Sequence, residues 1–63
     1  MEVRKLRNVV LIDDETYTCS IELYSKTEDK WNRTNYVSKK DDPSPVNQWI
    51  LNQISTGKYK ITN

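Results

Sequence analysis

The sequence predicts a small α+β domain in which one helix packs on an antiparallel sheet of three to four strands, in the order β-β-β-α-β. Two patterns carry this prediction. Residues 16–24 alternate apolar and polar side chains, which is typical of a strand with one buried face. Residues 42–57 combine a helix-start signal, apolar residues at helical spacing and a glycine at the end. With 63 residues, the chain is expected to form one small domain over residues 1–63.

The first three strands are placed by their β-branched and aromatic residues. Residues 3–12, which end in the apolar run Val9–Ile12, predict the first strand. Asp13–Glu15 forms a polar break, where aspartate side chains can cap a turn by bonding backbone amides. Residues 16–24 predict the second strand, which pairs with the first as an antiparallel hairpin. Residues 31–38, rich in Trp, Thr, Tyr and Val, predict the third.

The helix is bounded by proline at its start and glycine at its end. Either Asp42 or Ser44 can serve as the N-cap, with Pro43 or Pro45 as the first helical residue. Gly57 lies where a left-handed residue commonly ends a helix. At about 100° per residue, four apolar residues of this segment fall on one arc and a fifth, leucine, lies at its edge.

A last short strand is predicted after the glycine, and it completes the candidate core. Tyr59 and Ile61 alternate with polar residues, and neighbouring lysines would protect this edge strand from pairing with other chains. The core is expected on one face of the second strand and one arc of the helix. The candidate core residues are Val10, Ile12, Tyr17, Cys19, Ile21, Leu23, Val46, Trp49, Ile50, Ile54 and Ile61.

Composition limits how such a chain can be stabilised. Only 35% of its residues are hydrophobic, and a chain this short buries only roughly 60% of the surface its unfolded form exposes. One cysteine excludes an internal disulfide, and the absence of histidine and of a second cysteine leaves no zinc site. Good packing or oligomerisation is left as the support, so a homo-oligomer is one expected form.

No segment is expected to enter a membrane. The longest apolar run, Val9–Ile12, is far shorter than the ~20 residues that cross a bilayer. It is also too short for the core of a signal peptide. The sequence therefore predicts a cytosolic or virion protein rather than a secreted one.

The residue types give little support to catalysis. Cys19 has no histidine to act as its base, and its place on the apolar face of a strand predicts a core residue. A Ser–Lys pair is the catalytic arrangement that the residue types leave open. The acidic pairs Asp13–Asp14 and Asp41–Asp42 lack metal-loop spacing and are expected to form turns and helix caps. We therefore expect no enzyme activity, no catalytic residues, no cofactor and no metal.

The charge of the chain argues against nucleic acid as its main partner. Ten basic and nine acidic residues give a net charge of +1, and the basic residues are scattered among acids along the chain. A phosphate backbone therefore meets little long-range attraction. The residues that interleave aromatic and basic character, as in single-strand binders, are Trp31, Arg33, Tyr36, Lys39 and Lys40.

An interface with another protein is the more specific expectation. Tryptophan and tyrosine dominate binding energetics, and Trp31 opens a strand after a charged loop, where its burial in the core is not assured. Tyr24 and Tyr36 are expected to line the same polar face of the sheet. The candidate interface residues are Trp31, Arg33, Tyr36 and Tyr24.

Several short motifs resemble small accessory proteins encoded beside tail-fibre genes in tailed bacteriophages. Residues 8–22, NVVLIDDETYTCSIE, are similar to that family's N-A-x-Y-N-A-D-G-T-I-D-C-x-I-E hairpin. A tryptophan-bearing strand, a D-D-P-x-P helix start and an I-x-x-G-x-[FY] ending follow at Trp31–Ser38, Asp41–Pro45 and Ile54–Tyr59. The chain departs from the family pattern at Glu15, which replaces a turn glycine. The resemblance implies a phage context and carries over no catalytic residue.

Three functions follow as hypotheses. The first is a phage-encoded, non-enzymatic protein-interaction module, such as a tail or tail-fibre accessory or assembly protein, located in the host cytoplasm or the virion. The second is a small phage inhibitor that binds and blocks a host protein. The third is a weak single-stranded nucleic-acid binder.

Overall fold

The computed structural model describes residues 2–62 and has the element order β-β-β-α. Strand β1 spans Val3–Asp13, β2 spans Thr16–Ser25, β3 spans Lys30–Lys39, and helix α1 spans Pro45–Ser55. The strands form one antiparallel sheet with β2 in the centre. The predicted α+β class, the three strands and the single helix of this region are therefore confirmed.

The C-terminal segment forms one bridge to the sheet where a fourth strand was predicted. Val10 pairs in parallel with Thr62. The backbone amide of Leu11 donates to the Thr62 carbonyl (2.7 Å), and the Thr62 amide donates to the Val9 carbonyl (2.9 Å). The pairing of β1 with β2 shifts register on both sides of Val10 and Leu11. Because of these shifts, only a short part of the β1 edge is regular enough to pair with the C-terminal segment, and a single bridge forms instead of a strand.

Strand β1 pairs irregularly with β2 at three places, of which the last lies between Leu11 and Asp13 and the first two are bulges with a left-handed residue. Its register with β2 shifts between Arg4 and Arg7 and again between Arg7 and Val10, by one extra residue each time. Lys5 and Asn8, which lie in these two gaps, have left-handed φ angles of 57° and 54°. Because one extra residue reverses the alternation of a strand, each bulge turns the following side chain to the other face.

The bulges decide which residues of β1 enter the core. Leu6 and Val9, each directly after a bulge residue, are 4% and 2% exposed. The prediction that Ile12 is a core residue is wrong, since Ile12 is 57% exposed, and Val10 lies half-buried opposite Thr18, on the far face from the core. Burying each apolar side chain contributes about 1.5–3 kcal/mol, which offsets the roughly 1–2 kcal/mol that a left-handed residue costs.

The core lies between the sheet and the helix. Its fully buried members come from β1, β2 and α1, and partly buried residues from every element and from the C-terminal segment pack around them. The buried set is Leu6, Val9, Cys19, Ile21 and Ile50. The surrounding set is Val3, Tyr17, Leu23, Tyr36, Val46, Trp49, Ile54, Tyr59 and Ile61.

Helix α1 starts at one of the two predicted caps. Ser44 is the N-cap, its hydroxyl accepts from the Asn47 amide (3.4 Å), and Pro45 is the first helical residue. Asp42 supports this start, since its Oδ1 accepts from the Ser44 amide (3.0 Å). At the other end, Gly57 has a φ of 76° and its amide donates to a carbonyl of the last turn (3.2 Å), as the sequence predicts.

A buried asparagine joins the helix to the end of the sheet. Asn47 is 0% exposed, and its Oδ1 accepts from the Ser38 hydroxyl (2.6 Å). Its Nδ2 donates to the carbonyl oxygens of Lys39 (2.7 Å) and Asp42 (2.8 Å). One side chain therefore connects the last residues of β3, the loop that follows and the first turn of α1.

The sheet presents two different faces. We call the face that packs on α1 the core face and the opposite one the outer face. Within residues 2–62, no helix packs on the outer face. Side chains alternate between the faces along β2 and β3, and directly paired residues share a face. The outer face comprises Arg4, Arg7, Val10, Asp13, Thr16, Thr18, Ser20, Glu22, Tyr24, Trp31, Arg33, Asn35, Val37 and Lys39.

Replacement of Asn47 by alanine is expected to lower the free energy of unfolding by about 2–4 kcal/mol. The change leaves the Ser38 hydroxyl and the Lys39 carbonyl without this partner, whereas the Asp42 carbonyl keeps its bond from Gln48 Nε2 (3.0 Å). Urea denaturation measures the loss. Asn52→Ala, on the exposed side of the same helix, is the matched control and should change stability by no more than about 0.5 kcal/mol. Equal effects of the two substitutions would contradict the structural role of Asn47.

The phase of β1 is tested by a second pair of variants. Leu6→Ala should destabilise the chain by about 2–4 kcal/mol, because it leaves a cavity in the core. Ile12→Ala, at an exposed position of the same strand, should cost less than about 1 kcal/mol. Thermal and urea unfolding report both values. A larger loss of stability for Ile12→Ala than for Leu6→Ala would mean that β1 alternates regularly, without the bulges, and buries Ile12 instead of Leu6.

Candidate binding surface on the outer face

Three of the four predicted interface residues lie together on the outer face. Tyr24 is directly paired with Trp31 at one end of the β2–β3 ladder, and Arg33 follows on the same face. Tyr36 lies on the core face, opposite Cys19, and its hydroxyl is 3.3 Å from the Ser44 hydroxyl. The prediction that Tyr24 and Tyr36 share a face is therefore wrong. Tyr24 pairs with Trp31 and Tyr36 pairs with Cys19, so the two tyrosine side chains lie on opposite faces of the sheet.

Trp31 is the centre of an aromatic and cationic cluster. The Arg4 guanidinium lies 4.0 Å from the centre of the indole ring, in a cation–π contact. The Tyr24 ring meets the indole edge-on, with ring centres 5.6 Å apart and planes at 64°. Residues from β1 and β2 therefore hold the Trp31 side chain of β3, which stays half-buried and accessible on the outer face.

Glu22 is the carboxylate that bonds a basic side chain of this face. Arg4 Nε donates to Glu22 Oε1 at 2.9 Å, so Arg4 connects Glu22 to the Trp31 ring. This hydrogen bond, with the nearby charges of Lys5, Arg4 and Arg7, lowers the pKa of Glu22 below its usual value. Glu22 is also the register partner of Arg33. Glu22 therefore holds Arg4 in place, and the two carboxylates of the outer face cannot neutralise its four cations.

The fold separates charges that are mixed along the sequence. The outer face carries four cations and two carboxylates, Glu22 and Asp13, whereas the other acidic residues lie before β1, in the turns and before the helix. The scattered charge of the sequence thus becomes a positively charged sheet face. The four cations are Arg4, Arg7, Arg33 and Lys39.

A shallow cleft opens on this face beside the second bulge. It has a volume of about 400 Å³ and is lined by small polar residues together with Cys19. The Ser20 hydroxyl donates to Asn35 Oδ1 across it (3.2 Å). The lining residues are Asn8, Thr18, Cys19, Ser20 and Asn35.

The remaining sequence-predicted sites have structural roles. Cys19 is 4% exposed, its Sγ lies 3.7 Å from the Tyr36 carbonyl, and burial raises the pKa of its thiol. Asp13 accepts from the Glu15 amide (2.8 Å) in the β1–β2 turn, and Asp42 supports the helix start. Across residues 2–62, no group of three acidic, cysteine or histidine side chains is arranged to hold a metal ion.

The one helix in residues 2–62 is too short and too polar to span a bilayer.

Two residues of the outer face escaped sequence reasoning. Arg4 and Arg7 are three residues apart, a spacing that places them on opposite faces of a regular strand. The bulge at Lys5 restores them to one face. The asparagine at position 8, a residue type enriched in left-handed conformations, was the local signal for the second bulge.

Comparison with known proteins adds no relative. None of the protein-family models, curated proteins or solved structures that were searched matches the chain. The resemblance to phage tail-fibre accessory proteins therefore stays a prediction. Function is argued below from the chemistry of the outer face.

Removal of the Arg4 side chain is expected to raise the pKa of Glu22. Arg4→Gln takes away the hydrogen bond that most strongly favours the ionised carboxylate. Because folding lowers this pKa, Glu22 contributes stability that is present above its unfolded-state pKa and is lost as pH falls through its folded-state pKa. The variant should lose part of this pH dependence.

Carboxyl-carbon NMR titration measures the shift directly. Lys30→Gln is the matched control, because Lys30 pairs with Glu28 (3.3 Å) at the far side of the β2–β3 turn. A Glu22 pKa that moves equally in both variants would contradict the assignment of the shift to Arg4.

Proposed function

We propose that the chain is a non-enzymatic protein-binding module whose outer face docks an acidic surface of another protein. The observation that carries this proposal is the composition of that face, where four cations outnumber two carboxylates and the helix packs on the other side. Complementary charge selects and orients a partner. The mixture of basic and aromatic side chains matches the residue types enriched in protein interfaces.

Trp31 supplies the anchor of the proposed interface. Binding energy in protein interfaces concentrates on a few Trp, Tyr and Arg residues, and Trp31, Tyr24 and Arg4 already contact one another. Their arrangement in the free chain lowers the ordering cost of binding. Val37, which is 55% exposed on the same face, adds an apolar contact farther along β3.

The absence of activity is part of the proposal. The chain has no histidine, and its single thiol is buried with a raised pKa, which disfavours the nucleophilic thiolate. These features support a role in recognition rather than in covalent catalysis.

The geometry favours protein over single-stranded nucleic acid. Tyr36, one of the two aromatics proposed for base stacking, lies on the core face, away from Trp31. Lys40 lies beside Tyr17, with its Nζ 5.7 Å from that ring. The Arg4 guanidinium already occupies one side of the indole. Successive bases would therefore find no row of free aromatic rings on the outer face.

The biological setting is proposed from the resemblance alone. It implies a phage protein, in the host cytoplasm or the virion, whose partner is a tail or tail-fibre component. Co-purification with a tail-fibre protein would support this setting, and normal virion and fibre assembly without the gene would contradict it. A host enzyme as the main partner would instead favour an inhibitor.

The binding proposal is tested with an octaglutamate peptide as a defined acidic probe. NMR titration of the labelled chain should move the amide signals of outer-face residues, and Arg7→Glu combined with Arg33→Glu should weaken binding by about tenfold or more. Lys58→Glu combined with Lys60→Glu makes the same charge change on the exposed C-terminal segment. This control should retain most of the affinity.

Two results would overturn the proposal. One is an equal loss of affinity in the two double variants, which would mean that the peptide responds to the net charge of the chain and not to the outer face. The other is tighter binding of an oligothymidylate of the same length, with a steep salt dependence, which would favour nucleic acid. Binding of the peptide that is confined to the outer face supports the module.

A further inference from the structure

The two edges of the sheet are built differently. The β1 edge is interrupted by the bulges at Lys5 and Asn8, and Thr62 bonds to the backbone of Val9 and Leu11 beyond them. Bulges, lysines and a covering segment are the devices by which proteins prevent a strand edge from pairing with another chain. This edge of the sheet is therefore protected.

The β3 edge lacks those devices over most of its length. All ten residues of β3 pair with β2 in one continuous register, from Lys30 opposite Ser25 to Lys39 opposite Thr16. The strand contains no glycine, proline or left-handed residue. Within residues 2–62, no other strand pairs with its far side. The Lys39 carbonyl is bonded to Asn47, so the open stretch runs from Lys30 to Ser38.

We infer that the β3 edge is a self-association site, at which a second copy of the chain pairs antiparallel with β3 about a two-fold axis at Thr34. The two sheets would then form one sheet of six strands. This inference does not depend on the proposed function, because main-chain pairing at the edge of the sheet carries it, although Trp31 and Val37 contribute to both.

The position of the axis follows from the side chains. A two-fold pairing that keeps the outer faces together must place a residue opposite itself, and the central candidates are Arg33, Thr34 and Asn35. An axis at Arg33 sets two guanidinium groups against each other, which is unfavourable. An axis at Asn35 extends the pairing to Lys39, whose carbonyl is already bonded.

An axis at Thr34 pairs the two apolar side chains that β3 presents on the outer face. It sets Trp31 opposite the partner's Val37, and it does so twice by symmetry. Val37 is 55% exposed in the single chain, and this pairing would cover it. Arg33 falls opposite the partner's Asn35, so no like charges face each other directly. The interface is small, and the expected dissociation constant is therefore high, on the order of 0.1 mM.

Sedimentation velocity over a series of concentrations tests the association. The mass should rise from 7.5 kDa towards twice that value, and Val37→Lys should weaken association about tenfold, because it replaces the apolar contact with a charge. Ile12→Lys is the matched control, since Ile12 is 57% exposed on β1. It should leave association unchanged.

Disulfide crosslinking tests the register separately from the energetics. Thr34→Cys places a thiol at the proposed axis and should form a crosslinked dimer under mild oxidation, whereas Arg33→Cys and Asn35→Cys report the two neighbouring registers. Peptide mapping distinguishes these links from any at Cys19, which is buried. A single-chain mass at millimolar concentration would overturn the inference, as would equal effects of Val37→Lys and Ile12→Lys. Crosslinking of Thr34→Cys no faster than that of the two neighbours would also overturn it.

Discussion

The hydrogen bonds of Asn47 are the interaction on which the arrangement of this chain depends. A buried amide is costly unless its donors and acceptor are paired, and Asn47 pairs them with Ser38, Lys39 and Asp42. These partners lie at the end of β3 and in the loop, so α1 must start directly over the core face. Because the helix packs on the core face, the side chains of the outer face are available for other contacts.

A second constraint comes from the bulges of β1. They turn Leu6 and Val9 into the core and, by the same change of phase, leave Arg4 and Arg7 on the outer face. The core and the positive surface are therefore two consequences of one backbone feature. The bulges also keep the β1 edge from pairing regularly with another strand, whereas the β3 edge is regular.

The sequence was informative where local patterns decide the structure. Alternation placed β2, and the Ser44 cap and Gly57 bounded α1. It was less informative where partners are distant. Bulges decide which side chains of β1 are buried, and hydrophobic alternation does not reveal bulges. The sequence pattern therefore predicts Ile12 in the core, whereas the structure buries Leu6. The grouping of Arg4 with Trp31 could not be predicted, because it requires the register of all three strands.

Net charge alone is a poor guide to the surface of this chain. Asp13 and Asp42 are needed where backbone amides require acceptors, in a turn and before a helix. Such positions draw carboxylates to the ends of the elements, whereas lysine and arginine occupy strand positions whose long side chains extend over the sheet. A chain with nearly equal numbers of both charges thus acquires one positive face. Recognition by that face depends on the local excess of charge and on Trp31, which the overall balance of +1 does not reveal.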